Sequence, residues 1–193
     1  MSMTDDGRWA GVDVGGRRKG FHVAVVTRQG VAELTRCATP ADVVHAVRSV
    51  RTVAIDSPRG LAVTGQPFRP CERELARAIC GIRWTPDCIE GNRYYEWIAH
   101  GLELYALLPD AVECFPTASW TRSAGPRRGS RAAWSAAALL LLGLSGVPRR
   151  IGQDFRDAIG AAVTARLHDE DRTDSFGPIV VPRDMLYVEN SRK

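Results

Sequence analysis

Two short apolar segments, each with an aspartate near its end, constrain the fold of this chain more than any other feature. Residues 9–14 read Trp-Ala-Gly-Val-Asp-Val, and residues 51–56 read Arg-Thr-Val-Ala-Ile-Asp. Runs of this length and composition, bounded by turn-forming residues, predict buried β-strands. A carboxylate inside such a run is costly to bury unless it is paired or binds a cation. Asp13 and Asp56 are therefore the first candidate site residues.

The segment between these two strands predicts two more strands and a helix. Residues 21–27 and 31–37 have strand patterns, and short glycine-containing turns separate them from each other and from residues 9–14. This spacing is typical of a three-stranded antiparallel meander. Thr39 then predicts a helix N-cap, with Pro40 at the first helical position. A helix that joins two strands in this way favours a parallel pairing of those strands.

The rest of the chain alternates helices and strands. Residues 57–110 predict a long irregular and helical region, and a short strand that carries an acid follows over 110–115. Further predicted elements are helices over 131–144 and 153–168 and a last strand over 179–182. We therefore expect an α/β fold: a single domain over residues 1–193, with a mixed sheet of an antiparallel three-stranded meander followed by parallel strands, flanked by helices, and a helical insertion at about 57–110. The tail from Glu189 is expected to fray.

Composition narrows the class of protein. The five cysteines form no CxxC pair and the four histidines complete no zinc pattern, so we expect a reduced protein without structural zinc. No apolar stretch is long enough to span a bilayer comfortably, and the first eight residues lack the apolar core of a signal peptide. These patterns predict a cytoplasmic protein without a membrane partner. They leave the oligomeric state open, a homodimer included.

Two further acids extend the candidate site. Glu113 lies in the sequence Val-Glu-Cys-Phe-Pro, and Asp157 lies near the start of a predicted helix. If the strands are neighbours in one sheet, these carboxylates converge and raise one another's pKa unless a cation neutralises them. Oxygen ligands suit Mg²⁺ or Mn²⁺, and two such ions can drive phosphodiester cleavage. The alternative is that Asp13 and Asp56 cap turns, because turn-forming residues follow each of them closely.

The basic residues of this chain are almost all arginine. Of the 26 basic residues only Lys19 and Lys193 are lysine, and residues 114–153 contain arginines but no Asp or Glu. A basic stretch beside acids suits a polyanionic substrate, with GC-rich coding and a solvated surface as the alternative explanations. The candidate phosphate-binding residues lie in the first turn, on the helix after Asp56 and in the basic stretch: Arg17, Arg18, Arg73, Arg122, Arg127, Arg128 and Arg131.

Several motifs, in a specific order, resemble one known family. The opening at residues 11–25, Gly-Val-Asp-Val-Gly-Gly-Arg-Arg-Lys-Gly-Phe-His-Val-Ala-Val, is similar to the start of the family called domain of unknown function 429. That family is regarded as a predicted nuclease of ribonuclease H fold. The likeness spans nearly the whole chain and continues in Ala54–Pro58, Cys71–Leu75, Thr85–Pro86, Tyr95–Trp97, Gly101–Tyr105, Glu113–Pro116, Asp157–Ala158 and Gly177–Pro182.

The resemblance implies a ribonuclease H-like core whose first and fourth strands lie side by side, each presenting an acid, here Asp13 and Asp56. A helix acid closes such sites and matches Asp157, with Asp154 as the alternative, and Glu113 matches the family's acid before Phe-Pro. We therefore predict a metal-dependent nuclease acting on DNA or RNA, with Asp13, Asp56 and Asp157 holding Mg²⁺ or Mn²⁺ and Glu113 as a further catalytic acid. The alternatives are a nucleotide-binding or phosphotransfer protein of the actin-like and sugar-kinase group, and a catalytically silent nucleic-acid-binding module.

Overall fold

A computed structural model describes residues 7–183, so the tail from Glu189 lies outside the described part of the chain. The first three strands are β1 (Trp9–Val14), β2 (Phe21–Val26) and β3 (Val31–Cys37). They pair in sequence order as an antiparallel meander. The predicted meander is confirmed, and its strand bounds differ from the prediction by one residue at most.

A helix carries the chain from β3 to the other side of β1. This helix, α1 (Pro40–Ala46), has the predicted N-cap: Thr39 Oγ1 accepts from the backbone N–H of Asp42 at 3.2 Å. The Asp42 carboxylate accepts from the Thr39 N–H at 2.9 Å in return. The next strand, β4 (Thr52–Asp56), lies parallel beside β1. The pairing of the first and fourth strands is therefore the one that the family resemblance implies.

The chain after β4 is largely helical until the next strand. It contains α2 (Pro70–Ala78), a short 3-10 helix (Arg93–Tyr95) and α3 (Glu96–Leu107). The last elements are β5 (Val112–Cys114), α4 (Pro116–Ala124), α5 (Arg131–Leu142), α6 (Gln153–Asp169), β6 (Thr173–Phe176) and β7 (Ile179–Pro182). Within the described residues the sheet has seven strands in the order β3-β2-β1-β4-β5-β7-β6, with β4, β5 and β7 parallel to β1. This is the predicted mixed sheet, arranged as in a ribonuclease H-like domain.

Two elements lie where the sequence predicts none. The helix α4 has Ser or Thr at four of its nine positions, and these residues are weak helix formers. The strand β6 reads Thr-Asp-Ser-Phe and lies at the sheet edge, where it is only partly buried. Neither segment has a clear apolar period, so packing against α6 and pairing with β7 decide their structure.

Helices cover both faces of the sheet. On one face α6 lies across β1, β2 and β4, with α4 and α5 packed against it, and the core there includes Trp9 and Ile159. On the other face α1 and α3 cover Val12 and Ile55. Across residues 7–183, no helix has both the length and the apolar character that crossing a membrane requires.

Candidate metal centre

The candidate site begins with two aspartates on neighbouring strands. Asp13 of β1 and Asp56 of β4 are direct partners in the parallel register, so their side chains leave the sheet on the same face. Asp13 is 8% exposed and Asp56 is half-buried. Both lie at or near the carboxyl ends of their strands, where open α/β sheets bind ligands. These two acids converge as the sequence predicts.

The helix α6 brings two further acids to the same face. It packs on β1 at Gly11, where an added Cβ would lie 2.0 Å from the backbone nitrogen of Ala162. A glycine is therefore required for the helix to approach the strand this closely. As a result, the first turns of α6 place Asp154 and Asp157 close enough to Asp13 to affect its ionisation.

Burial and mutual repulsion raise the pKa of both strand acids. Loss of hydration is the main reason why the pKa of Asp13 is raised to about 7. The charges of Asp157 and Asp154 raise it further, against the opposing charge of Lys19. The pKa of Asp56 rises well above its ordinary value, first through burial and then through the charges of Asp13 and Asp157. A bound cation would stabilise the ionised form of such carboxylates.

Asp157 is held by a set of hydrogen bonds from three elements. Its Oδ1 accepts from Trp120 Nε1 at 2.9 Å and from Gln153 Nε2 at 3.0 Å, and its Oδ2 accepts from Arg131 at 2.9 Å. Gly160 of α6 leaves room for the indole, because an added Cβ would lie 2.6 Å from that ring. These contacts orient the carboxylate, and no sequence pattern predicts them.

A second group of metal-ligand atoms lies on the β2 side of Asp13. Atoms of Asp13, His22 and Asp154 all lie within 4.8 Å of one another, a spacing that a metal ion can bridge. Lys19 Nζ lies 2.7 Å from Asp154 Oδ1 and 3.8 Å from Asp13 Oδ2. Burial lowers the pKa of His22 below its ordinary value, which favours the neutral imidazole. No sequence pattern places His22 in the site.

These groups open into one cavity of about 840 Å³. All four clustered aspartates line it, and Trp97 and Phe115 contribute aromatic surface. Four cationic side chains complete the lining: Lys19, Arg83, Arg127 and Arg131. The cavity therefore combines a carboxylate cluster with positive groups that can bind an anionic substrate.

Glu113 does not join the other three predicted catalytic acids. In the β4–β5 pair it is the partner of Ile55, so its side chain leaves the sheet on the face opposite to that of Asp56. There Arg69 binds both carboxylate oxygens, at 2.8 and 2.5 Å, and the backbone N–H of Arg59 donates at 2.9 Å. The predicted convergence of four acids is corrected to three, because the strand register turns Glu113 away.

Arg69 links Glu113 to a second buried acid. Its Nε donates to Glu72 at 2.9 Å, and the backbone N–H of Thr85 donates to the same carboxylate at 3.0 Å. Glu72 is fully buried. Three of the motifs that carry the family resemblance, around residues 72, 85 and 113, therefore meet in one buried network that ties the helical insertion to β5.

The seven predicted phosphate-binding arginines do not share one surface. Arg127 and Arg131 line the cavity, whereas Arg18 and Arg128 are exposed outside its lining. The cavity also contains Arg83, which no sequence pattern singles out. The other three arginines have partners elsewhere: Arg17 pairs with Glu103 at 2.5 Å, Arg73 lies 4.2 Å from the centre of the Phe68 ring, and Arg122 donates to Asp174 at 3.1 Å.

The fold is a ribonuclease H-like α/β domain with a carboxylate site. Its defining features are the β1–β3 meander, the parallel strand β4 beside β1, and the paired aspartates of β1 and β4 that face α6. Residues 11–86 match the model of the family described as "Protein of unknown function (DUF429)". This match confirms the resemblance over the part of the chain that contains both Asp13 and Asp56. Among curated proteins, none matches the chain.

Two solved structures share similarity with this chain, both of RuvC from Thermus thermophilus. The first, described as "Thermus thermophilus RuvC structure", is 14% identical with a TM-score of 0.45, and the match covers 85% of this chain and 96% of that one. The second, "T. thermophilus RuvC in complex with Holliday junction substrate", is 13% identical with a TM-score of 0.45, and the match covers 84% of this chain and 96% of that one.

Proposed function

We propose that this protein is a divalent-metal-dependent nuclease that hydrolyses phosphodiester bonds in DNA or RNA. One observation carries the proposal: Asp13 and Asp56, paired across β1 and β4, face the acids of α6 in a cavity that is also lined by cationic side chains. Carboxylates provide ligands for a divalent cation, and arginines bind phosphate oxygens. This combination suits a reaction at a phosphodiester.

The acids of the site fit Mg²⁺ or Mn²⁺. Asp13 Oδ2 is buried and has no hydrogen-bond partner among the described residues, which suits an oxygen that coordinates a cation. Asp13 and Asp56 would hold the metal, with Asp157 as the helix ligand and Asp154 as its alternative. When bound, such an ion lowers the pKa of a water molecule and stabilises the leaving oxygen.

The protein's own groups bind and orient the reactants. Trp120 and Gln153 hold the Asp157 carboxylate in one orientation beside the site. Arg83, Arg127 and Arg131 line the same cavity as the acids, where they would bind phosphates of the substrate strand. Glu113 supports the site only indirectly, because its bonds to Arg69 hold the insertion that supplies Arg83.

Calorimetric titration of Mn²⁺ tests the metal centre before any substrate is known. Wild-type protein should bind Mn²⁺, and Asp56→Asn should lose this binding while it remains folded. Asp110→Asn is the matched control, because Asp110 is exposed just before β5 and is not part of the cavity lining. Equal Mn²⁺ binding by wild type and Asp56→Asn would reject the proposed centre.

A cleavage assay then tests the reaction itself. Labelled single-stranded, duplex and branched DNA and RNA should be screened with Mn²⁺ and with Mg²⁺. For any substrate that is cut, Asp13→Asn and Asp56→Asn should lower the rate by at least about a hundredfold, since each removes a ligand of the ion that activates water. Cleavage that persists in both variants would assign the activity to a contaminant or to another site.

One observation favours a second candidate, a nucleic-acid-binding module without catalysis. Lys19 and Arg131 already lie beside Asp154 and Asp157, at 2.7 and 2.9 Å, and neutralise part of the acidic charge without a metal. This candidate predicts nucleic-acid binding that is unaffected by chelators. It also predicts no Mn²⁺ binding in wild type, which separates it from the nuclease.

A further inference from the structure

His22 occupies a position that its packing alone does not explain. It lies directly opposite Asp13 in the antiparallel β1–β2 pair, so both side chains project toward α6. Its Nδ1 is 3.8 Å from Asp13 Oδ2, and its Nε2 is 3.9 Å from Asp154 Oδ2. The ring also meets Phe155 edge-on, with 4.8 Å between ring centroids. The imidazole therefore lies between two carboxylates, near both but hydrogen-bonded to neither.

The atoms that face each other in this group are buried and unsatisfied. His22 is 9% exposed and Asp13 is 8% exposed. Neither His22 Nδ1 nor Asp13 Oδ2 has a hydrogen-bond partner within residues 7–183. Buried polar atoms normally find partners, because leaving one unsatisfied destabilises the folded protein. Two such atoms on facing residues indicate that something else binds between them.

The position of Lys19 indicates that the missing ligand carries a positive charge. Its ammonium group lies 2.7 Å from Asp154 Oδ1 and 3.8 Å from Asp13 Oδ2. The lysine belongs to the turn between β1 and β2, and its side chain is 46% exposed, so it can move away without disturbing the core. The position thus attracts a positive charge and is occupied by one that can be displaced.

From these contacts we infer that Asp13, Asp154 and His22 form a mixed oxygen and nitrogen site for a divalent transition metal. The imidazole nitrogen makes the site prefer Mn²⁺, Co²⁺ or Zn²⁺ over Mg²⁺, because Mg²⁺ is bound almost entirely by oxygen ligands. This inference rests on the metal-binding part of the proposed function and adds a ligand and a selectivity to it. Asp154, rather than Asp157, is then the helix ligand on this side of Asp13.

Pulsed EPR of protein-bound Mn²⁺ tests the nitrogen ligand without relying on activity. Wild-type protein loaded with one equivalent of Mn²⁺ should give electron spin echo modulation from a directly bound ¹⁴N nucleus. Protein made with ¹⁵N-labelled histidine should show the ¹⁵N pattern instead. This second measurement needs no substitution, so it remains informative even if a His22 variant fails to fold.

Variants then assign the nitrogen to one histidine. His22→Gln should lose the modulation and reduce the preference for Mn²⁺ over Mg²⁺ by at least about tenfold in calorimetry. His168→Gln is the matched control, since that histidine lies near the far end of α6 and contacts Thr173. It should keep both the modulation and the preference.

The outcomes separate this inference from the proposed function. Mn²⁺ binding that needs Asp56 but shows no histidine nitrogen would overturn the His22 assignment and leave the carboxylate centre intact. Nitrogen modulation that survives in His22→Gln would overturn it as well. Absence of Mn²⁺ binding in wild type would overturn both. Modulation lost only in His22→Gln would support it.

Discussion

Asp13 and Asp56 lie directly opposite each other across the parallel β1–β4 pair, with their carboxylates on the face that α6 covers. Two carboxylates this close, one buried and one half-buried, destabilise the folded chain unless cations compensate their charge fully. By contrast, Glu113 and Glu72 are buried together with Arg69. Replacing an acid of the first group by its amide should therefore stabilise the metal-free protein, whereas the same replacement in the second group should destabilise it.

Replacing Asp13 by Asn should stabilise the metal-free protein at neutral and higher pH. The pKa of Asp13 is about 7 in the folded protein against an ordinary value of 3.8. Between these values the folded state binds more protons than the unfolded state, so wild-type stability falls as the pH rises through this window. The Asp13→Asn protein cannot ionise at this position, so it does not lose stability as the pH rises. It should be more stable than wild type by about 1–3 kcal/mol above pH 7.

Urea denaturation with a chelator present checks this prediction. The advantage of Asp13→Asn should shrink as the pH falls below about 7 and vanish only well below 3.8, where the wild-type carboxyl is protonated in both states. Saturating Mn²⁺ should stabilise wild type more than the variant. If Asp13→Asn is less stable than wild type at high pH, cationic groups of the protein stabilise the ionised carboxylate and the prediction is wrong.

Replacing Glu113 by Gln should instead destabilise the protein strongly. The substitution leaves the Arg69 guanidinium buried with only part of its charge compensated, and breaking a buried ion pair from one side costs about 3–5 kcal/mol. Asp174→Asn is the matched control, because its pairs with Arg122 and Arg183 are partly exposed and should contribute less than about 1 kcal/mol. Equal effects of both variants in urea denaturation would contradict the structural role of Glu113.

Gly11→Ala should separate α6 from β1 and disrupt the site. The added methyl group would lie 2.0 Å from the backbone nitrogen of Ala162, and neither the strand nor the helix can yield without moving the core. We expect a loss of stability of about 1–3 kcal/mol or more and weaker Mn²⁺ binding in calorimetry. Gly60→Ala is the control, since a Cβ there meets open space. Wild-type Mn²⁺ affinity in Gly11→Ala would show that the approach of α6 is not needed for binding.

Arg127→Ala should weaken nucleic-acid binding and reduce its dependence on salt. Each phosphate contact contributes about 0.7–0.9 to the magnitude of the slope of log K against log salt concentration. Loss of one contact should therefore reduce that magnitude by about 0.7–0.9. Arg122→Ala is the control, because that guanidinium bonds to Asp174 and lies outside the cavity lining. Fluorescence anisotropy at several salt concentrations measures both slopes. If the salt slope changes in Arg122→Ala and not in Arg127→Ala, nucleic acid does not bind in the cavity.

Strand and helix identity followed from local physics. The apolar runs at residues 9–14 and 31–37 and the cap at Thr39 determine β1, β3 and the start of α1, because apolar periodicity and capping depend on near neighbours in the chain. The family resemblance, rather than any local pattern, implies that β4 pairs with β1 and that Asp13 meets Asp56.

Tertiary structure alone decided which charged groups meet. A shift of one residue in strand register turns a side chain to the opposite face of a sheet, and this is why Glu113 meets Arg69 instead of Asp56. Partners such as Trp120 for Asp157 come from segments far apart in the chain, and no local pattern encodes them. The sequence by itself therefore determined the strands and the two aspartates that open the site. Packing and register determined its remaining members, because those depend on contacts between distant segments.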